Sequence, residues 1–454
     1  MDYPIWDVAI GGSMLMALVA ITHVIVSHFA IGGGLVIAVT ETLAVKRGDH
    51  EMRELARRSS FMLILVSTVF GAISGVGIWV VAGLISPSTI AALIRNYVWG
   101  WAIEWVFFIV EIVAALVYYA TWNKISKRVH VMVGWIYFIA AYLSLVIING
   151  IITFMLTPGE WLQTRAFWDG FFNPTYWPAI VLRTGITLMM ATAFMGLVAW
   201  RSSESSRPRL KRYLGWWMLA GVFLSYAGYR WWEVALPESI RALFLGDSPG
   251  LAALADTRGF LLWALAATLI LTVLFLLAVP RMAKLVPLVL VMLAAFAFFG
   301  GYERLREGVR KPFLIHDYMF SNGVRVDEIS RLNEQGILSK AGWAARDAAD
   351  GPVVEGRQVF RAQCASCHTL DGYQGIRELL PDDPDMIFGV LYGMYEQGEE
   401  YTGVEPGTVV DKSELFYPYM PPFVGTEEEM MSLAEYLSSL AVTEPEVAGA
   451  GEGQ

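Results

Sequence analysis

Cysteine is almost absent: among 454 residues only Cys364 and Cys367 occur, so no disulfide framework holds this chain together. Charge is scarce as well. Asp, Glu, Lys and Arg make up 17% of the residues against 56% hydrophobic ones, and mean hydropathy is +0.50, which excludes an ordinary soluble enzyme. The first residues lack the basic stretch of a cleavable signal peptide, and the apolar run behind them is too long for one, so that run is expected to remain as an anchor. The few charges are unevenly placed. From Ala341 onward 21 acidic residues meet 5 basic ones, whereas the preceding part holds 28 basic against 21 acidic. The acidic part has two readings: plain solubility, or a field that steers a basic partner to a docking face. No nucleic-acid partner is expected.

Apolar runs long enough to cross a bilayer fall near 9–44, 60–86, 97–121, 128–156, 177–200, 212–230, 259–280 and 283–302. In hydrocarbon only a helix satisfies its own backbone within one segment, so all eight are expected to be α-helical. Basic residues cluster in the odd-numbered loops: Lys46, Arg47, Arg53, Arg57 and Arg58, then Lys124, Lys127 and Arg128, then Arg201 to Arg212, then Arg281 and Lys284. The positive-inside rule places those loops in the cytoplasm and both termini outside.

The two cysteines stand in Cys364-Ala-Ser-Cys367-His368, the attachment signature of c-type haem. Two thiols three residues apart reach the two vinyl groups, and His368 then lies under the iron. Such haem is normally attached outside the cytoplasmic membrane, which agrees with the loop charges. A helix-like Glu355–Phe360 precedes the motif, and Tyr417-Pro-Tyr-Met420-Pro-Pro-Phe423 presents Met420 in a proline-held loop suited to a sixth ligand. Met386 and Met394 are rival ligands without such a loop. Thr426 and three glutamates after it mark the start of a closing helix to Leu440. These features resemble a class I cytochrome c. The expected organisation is therefore all-α: a polytopic bundle of about eight transmembrane helices over 1–305, a linker over 306–349, a cytochrome c domain over 350–443 and a disordered tail over 444–454. A zinc or thiol-exchange motif is the competing reading of the cysteines.

Four ionisable residues lie at membrane depth: His23 and His28 in the first span, Glu104 and Glu111 in the third. Such groups are costly there and mark function by default. The two glutamates are two helical turns apart and share a face, which suits proton delivery or haem contact; a polar seam between helices is the alternative. His23 and His28 point to different sides of their helix.

Thr22-His-Val-Ile-Val-Ser-His-Phe-Ala-Ile-Gly-Gly-Gly34 followed by Thr40-Glu-Thr42 resembles the first helix of the large subunit of cytochrome bd-type oxidases. Ala102-Ile-Glu104 continuing to Glu111, Lys127-Arg-Val-His130 with Ser144 and Asn149-Gly150, and Arg310-Lys-Pro-Phe313 are similar to further segments of that family, in the same order. The resemblance implies that His23 is the proximal ligand of one haem of the oxygen-reducing pair. It implies that Glu104 lies beside that pair, that Glu111 sits on the proton route, and that His130 is a polar residue rather than a ligand. His28 occupies a position without a family ligand and stays an open candidate for cofactor binding.

The departures matter more. Where the family places the low-spin haem's histidine on span five, Arg183 stands here, and Arg258-Gly-Phe260 occupies the point where its methionine partner is expected. Arginine keeps its charge and offers iron no lone pair. Arg183 suits either the holding of haem propionates or a snorkelling place at the interface. Glu303 is the nearest candidate for another family haem ligand, and the quinol-binding loop shrinks to about 231–257. The resemblance then implies the quinol-independent, haem-c-bearing branch of the superfamily. Its cofactors would be haem c and one or two haem b groups, or a haem d among them. Its partners would be a second membrane subunit similar to bd subunit II, or a similar cytochrome subunit, a soluble periplasmic electron donor, and dioxygen. The expected place is the cytoplasmic (inner) membrane with the cytochrome c domain in the periplasm. Competing functions are a non-catalytic cytochrome b/c electron-transfer subunit, a quinol:cytochrome c reductase with Trp231, Trp232 and His316 lining its site, and reduction of nitric oxide or peroxide.

Overall fold

A computed structural model of the chain describes residues 3–245, 252–279, 285–344, 351–402, 415 and 417–441. The tail at 444–454, residues 345–350 and the basic pair Arg281 and Lys284 lie outside the described residues.

The membrane part is a bundle of long helices. Helix α1 spans Gly12–Arg47 and ends at Gly48, whose φ of 67° is the left-handed conformation that closes a helix. Asp49 then caps α2 (His50–Ile64) by accepting the Met52 N–H at 3.1 Å. A π-helical turn over Leu65–Gly71 joins α2 to α3 (Ala72–Ile85), so that both form one span. Next come α4 (Pro87–Ala120), α5 (Lys127–Leu156), the short α6 (Trp161–Thr164) and α7 (Phe167–Phe171), and α8 (Tyr176–Trp200). After these run α9 (Arg207–Ala235), α10 (Glu238–Leu245), α11 (Ala252–Leu271, prolonged as a π-helix over Thr272–Ala278) and α12 (Leu285–Arg310).

Among the described residues, seven helices are long and apolar enough to cross a membrane. Each of the eight expected runs overlaps a long helix over most of its described residues; the one near 212–230 lies in α9, which falls short of that apolarity. Its ends carry Arg207, Arg209, Lys211 and Arg212 on one side and Arg230 and Glu233 on the other. Its middle relies on Trp and Tyr, which hydropathy counts as barely apolar. Trp216, Phe223 and Tyr226 nonetheless face outward, as lipid-facing side chains do.

Helices α8 and α9 pack through glycines. A side-chain carbon at Gly185 would fall 2.4 Å from Ser225 N, and one at Gly228 would fall 2.3 Å from Leu182 N. This is the small-residue contact of membrane helices. Gly228→Ala is expected to destabilise the bundle by about 1–3 kcal/mol, despite alanine's better helix propensity. Gly259→Ala, on the open face of α11 with nothing within 4 Å, is expected to leave stability unchanged or raised. Thermal unfolding in detergent compares the two.

Beyond α12 the chain folds against the cytochrome c-like part. A two-stranded hairpin, β1 (Phe313–Ile315) and β2 (Met319–Phe320), is followed by a 3-10 turn at Val326–Glu328, α13 (Ile329–Gln335) and a 3-10 turn at Ile337–Lys340. Phe313, Phe320, Ile329 and Leu332 share one core with Val359, Leu433 and Leu437. The last part contains α14 (Pro352–Gln363), α15 (Pro384–Glu399) and α16 (Glu427–Ser438). Helices α14 and α16 cross at Gly356, where a side-chain carbon would lie 1.9 Å from Ser432 O.

The expected start of α16 is present as a capping box: Thr426 accepts the Glu429 N–H at 3.2 Å, and the Glu429 carboxylate accepts that of Thr426 at 3.3 Å. The same carboxylate, buried, accepts the N–H groups of Ile337 at 2.7 Å and Leu338 at 3.0 Å. It therefore binds the segment after α13 to the last helix. Glu429→Gln turns one acceptor oxygen into a donor facing donors, and is expected to destabilise this domain by about 1–3 kcal/mol, followed by chemical denaturation.

Candidate functional site

The described part of the chain offers two groups of residues whose chemistry suits haem, one in the soluble domain and one in the bundle. In the soluble domain α14 delivers Cys364, Cys367 and His368 at its C-terminal end. No disulfide joins the two cysteines. A thiol-exchange centre needs a lowered thiol, but burial pushes the Cys364 thiol up to about 12, against that competing reading. The His368 Nδ1–H donates to Gln374 O at 3.2 Å, which fixes the tautomer and leaves the Nε2 lone pair for iron. The residues fit a covalently held haem.

Two glutamines without a local sequence signal organise this pocket. Buried Gln363 donates to Val424 O at 2.7 Å and accepts from Val424 N at 3.0 Å, which ties the cysteine motif to the strand-like run after Met420. Gln397 on α15 accepts the Tyr417 N–H at 3.0 Å and donates to Tyr417 O at 3.3 Å and Met420 O at 3.4 Å. The Met420 loop is thereby clamped from both ends. Of the rival methionines, Met386 is exposed on α15 and Met394 packs into the domain core. Tyr419, beside Met420, packs against the membrane core, and Gly372 and Thr369 abut Ala9 and Gly11 in front of α1. The cytochrome-like domain thus sits on the end of the bundle where α1 begins.

Within the bundle, His23 on α1 faces α3. Its Nδ1 lies 3.2 Å from Ser74 Oγ, whose own proton goes to Phe70 O. The serine oxygen therefore accepts the Nδ1–H, and Nε2 keeps a lone pair. Ser74 stands three residues after the end of the π-helical turn at Gly71, the kind of irregularity that often re-aims a helix at a functional site. Such a histidine fits an iron ligand.

Glu104 and Glu111 of α4 each meet a partner on antiparallel α5. Ser144 donates to Glu104 Oε1 at 2.9 Å, and Tyr137 Oη lies 3.3 Å from Glu111 Oε1. Partners are two turns apart on both helices, so the carboxylates form successive rungs. His23 bonds Ser74 rather than either carboxylate. His130 uses both ring nitrogens, Nδ1 with Glu41 at 2.8 Å and Nε2 with Tyr118 O at 2.8 Å, and has no lone pair left for iron.

Arg183 is buried, 3.2 Å from Glu303 and over the ring of Tyr302. Burial removes the snorkelling reading. Glu303 also accepts from Arg306 at 3.0 Å. Arg258 is tied in the same way, with Nε donating to buried Glu233 at 2.6 Å. His28 is buried, its Nδ1–H donating to Val24 O at 2.7 Å. Of the three residues considered for quinol, Trp231 is exposed, Trp232 is buried against Tyr229 and Tyr302, and His316 bonds Met155 O and Asp317.

Residues 13–229 match the family model of cytochrome bd terminal oxidase subunit I, and residues 353–441 match that of cytochrome c. No curated protein matches the chain. Among solved structures, the bd oxidase from Geobacillus thermodenitrificans aligns with a TM-score of 0.57 at 15% identity, over 66% of this chain and 87% of that one. At that identity the likeness shows the fold. The chain is a multi-pass membrane protein that joins a cytochrome bd subunit I-type region to a cytochrome c domain. Both matches are to haem proteins of electron transfer, and an oxidoreductase role follows.

Proposed function

We propose that this subunit reduces dioxygen to water, using electrons that enter through its own cytochrome c domain from a soluble donor outside the cytoplasmic membrane. The observation that carries this reading is two ion pairs, buried Arg183 with Glu303 and half-buried Arg258 with buried Glu233. They occupy the two positions where the resemblance places the low-spin haem ligands, so the usual electron entrance has no ligands. The cytochrome c domain, docked on the bundle through Tyr419 and Gly372, supplies another entrance.

Haem, when bound, supplies the redox chemistry: a six-coordinate centre passes electrons, and a centre with an open position binds oxygen. The chain does the rest. Cys364 and Cys367 would hold a haem covalently, His368 presents an oriented lone pair, and the Gln397 clamp holds the Met420 loop. A haem held by these residues would pass electrons rather than bind oxygen. Ser74 takes the His23 Nδ1 proton, and His23 Nε2 would hold a haem iron in the membrane. Glu104 and Glu111, each held by a hydroxyl from α5, store and pass protons toward that site. A second membrane subunit similar to bd subunit II completes the complex, and the cytochrome c domain lies in the periplasm.

Carbon monoxide separates this reading from that of a passive electron-transfer subunit. The dithionite-reduced complex is expected to show a CO-shifted spectrum of a non-covalent haem while the haem c bands stay in place. A reduced complex that binds no CO holds only six-coordinate haems and is not an oxidase.

A further inference from the structure

Residues 3–11 and 312–323 lie outside both family-matched ranges. Each segment is fastened to the bundle, and each touches the cytochrome c domain at its haem motif. In the first, Tyr3 Oη donates to Gly83 O at 2.7 Å and the Trp6 N–H to Leu84 O at 3.0 Å, which pins the segment to the end of α3. Its far end meets the turn after His368. A side-chain carbon at Gly372 would lie 2.0 Å from Ala9 O, and one at Gly11, whose φ is 89°, would lie 3.1 Å from Thr369 Cγ2. That turn is stiff. The Gly372 N–H donates to Thr369 Oγ1 at 2.8 Å, and Thr369 Oγ1 donates to Tyr373 O at 3.0 Å. Gln374, next in the chain, provides the carbonyl that orients His368.

The second segment is the hairpin after α12. The His316 N–H donates to Met155 O near the end of α5 at 2.9 Å, and buried Arg310 donates to Phe313 O at 3.2 Å and Leu314 O at 2.8 Å. Gly323, with φ 81°, lies against the start of α4, where an added carbon would come within 2.9 Å of Ser88 Cβ. The other side of the hairpin enters the cytochrome c core. Tyr401 stands edge-on to Phe313 at 5.6 Å and to Phe320 at 5.1 Å, and Ser321 Oγ lies 3.9 Å from Cys367 Sγ. Tyr419, beside Met420, adds a third contact on the membrane core. Domains that move against each other meet through small, polar interfaces. Here backbone abuts backbone on one side of the haem motif, and a shared aromatic core holds the other.

We propose that these two segments form a fixed seam across which electrons pass from the cytochrome c domain into the bundle, and that the domain stays docked throughout turnover. Gly11 and Gly372 are positioning residues, which act by letting backbone approach backbone. Each electron that crosses is replaced by one from the soluble donor, and dioxygen is the final oxidant. Electron transfer weakens steeply with distance, so the closeness of the seam sets the inward rate. The direction of transfer rests on the oxidase reading; the seam itself rests on the contacts alone.

Two rates in the purified complex test it. Mixing the reduced complex with saturating oxygen gives the rate at which haem c is oxidised through the bundle. Mixing the oxidised complex with reduced soluble cytochrome c under argon gives the rate at which haem c is reduced from outside. In the unaltered complex, oxidation is expected to be independent of added sucrose. A rate that falls in proportion to viscosity means a swinging domain and overturns the proposal. Gly372→Val, and Gly11→Val from the opposite side of the seam, are each expected to slow oxidation by about 10- to 100-fold. Haem c content, its midpoint potential and its reduction from outside are expected to stay unchanged. Gly393→Ala, on α15 with nothing within 4 Å, is expected to alter none of these. Unchanged oxidation in both valine variants overturns the proposal. So does slowing that a shifted midpoint potential explains, since the glycines then support the haem pocket and not the seam. Gly11→Val decides the matter where Gly372→Val costs the domain its haem. Hydrogen exchange at residues 369–375, expected to quicken in both variants, reads the contact without oxygen; exchange unchanged in both also overturns it. No haem c oxidation in the unaltered complex, with that segment still protected, contradicts the oxidase reading and leaves the contact standing.

Discussion

His23→Ala is expected to abolish oxygen uptake, by more than about 100-fold, while haem c content stays unchanged. The magnitude follows from position. Groups that only orient a metal ligand are worth about 10- to 100-fold, and a ligand exceeds its orienting partner. His23 has the form of a ligand: its Nδ1 proton is taken by Ser74 Oγ at 3.2 Å, and Gly75 approaches the ring so closely that an added carbon would lie 3.1 Å from Cε1. The CO-shifted band should vanish with the uptake. Ser74→Ala removes only the orienting oxygen, so it should cost about 10- to 100-fold with the CO band retained but altered. Ser74→Thr, which keeps a hydroxyl, should recover most of the activity. Full uptake in His23→Ala would move the oxygen site elsewhere in the bundle.

The Cys364→Ala, Cys367→Ala double variant is expected to be just as severe, but selectively. Without the thioethers the domain loses covalent haem, visible as loss of haem staining in denaturing gels. Uptake with reduced cytochrome c as donor should fall to background. The proposed membrane ligand, His23, lies on another helix, so dithionite should still produce the CO-shifted band. This split distinguishes an electron entrance from a structural domain: a merely structural loss would take the CO band as well.

The parts of this architecture that could be read from the sequence are those encoded locally. A run of twenty apolar residues needs no partner to be recognised, and each of the eight expected runs overlaps a long helix over most of its described residues. Cys364-Ala-Ser-Cys367-His368 is legible because the chemistry of thioether attachment fixes its spacing, and Thr426 because its cap is a four-residue motif. The α9 span was the weakest signal, since Trp and Tyr fill its middle and six charged residues its ends.

The rest depends on contacts between distant residues. Ser74 meets His23 across 51 positions, and nothing around either residue announces the other. Gln363 and Gln397 read as ordinary polar residues on two helices, yet each pairs with backbone some 61 and 20 residues away. Glu429 was legible as a cap but not as the acceptor for Ile337 and Leu338. The region expected as a linker contains a hairpin whose strands are two or three residues long, too short for any alternation to show. Arg183 was visible as a departure from the family pattern. Its pairing with Glu303, three spans later, appears only once the helices are packed.

Oxygen uptake by the purified complex, with reduced cytochrome c and then with quinol as donor, tests the central claim most directly. The account predicts cyanide-sensitive uptake with cytochrome c and none with quinol alone. Uptake driven by quinol, or none with either donor, would contradict it.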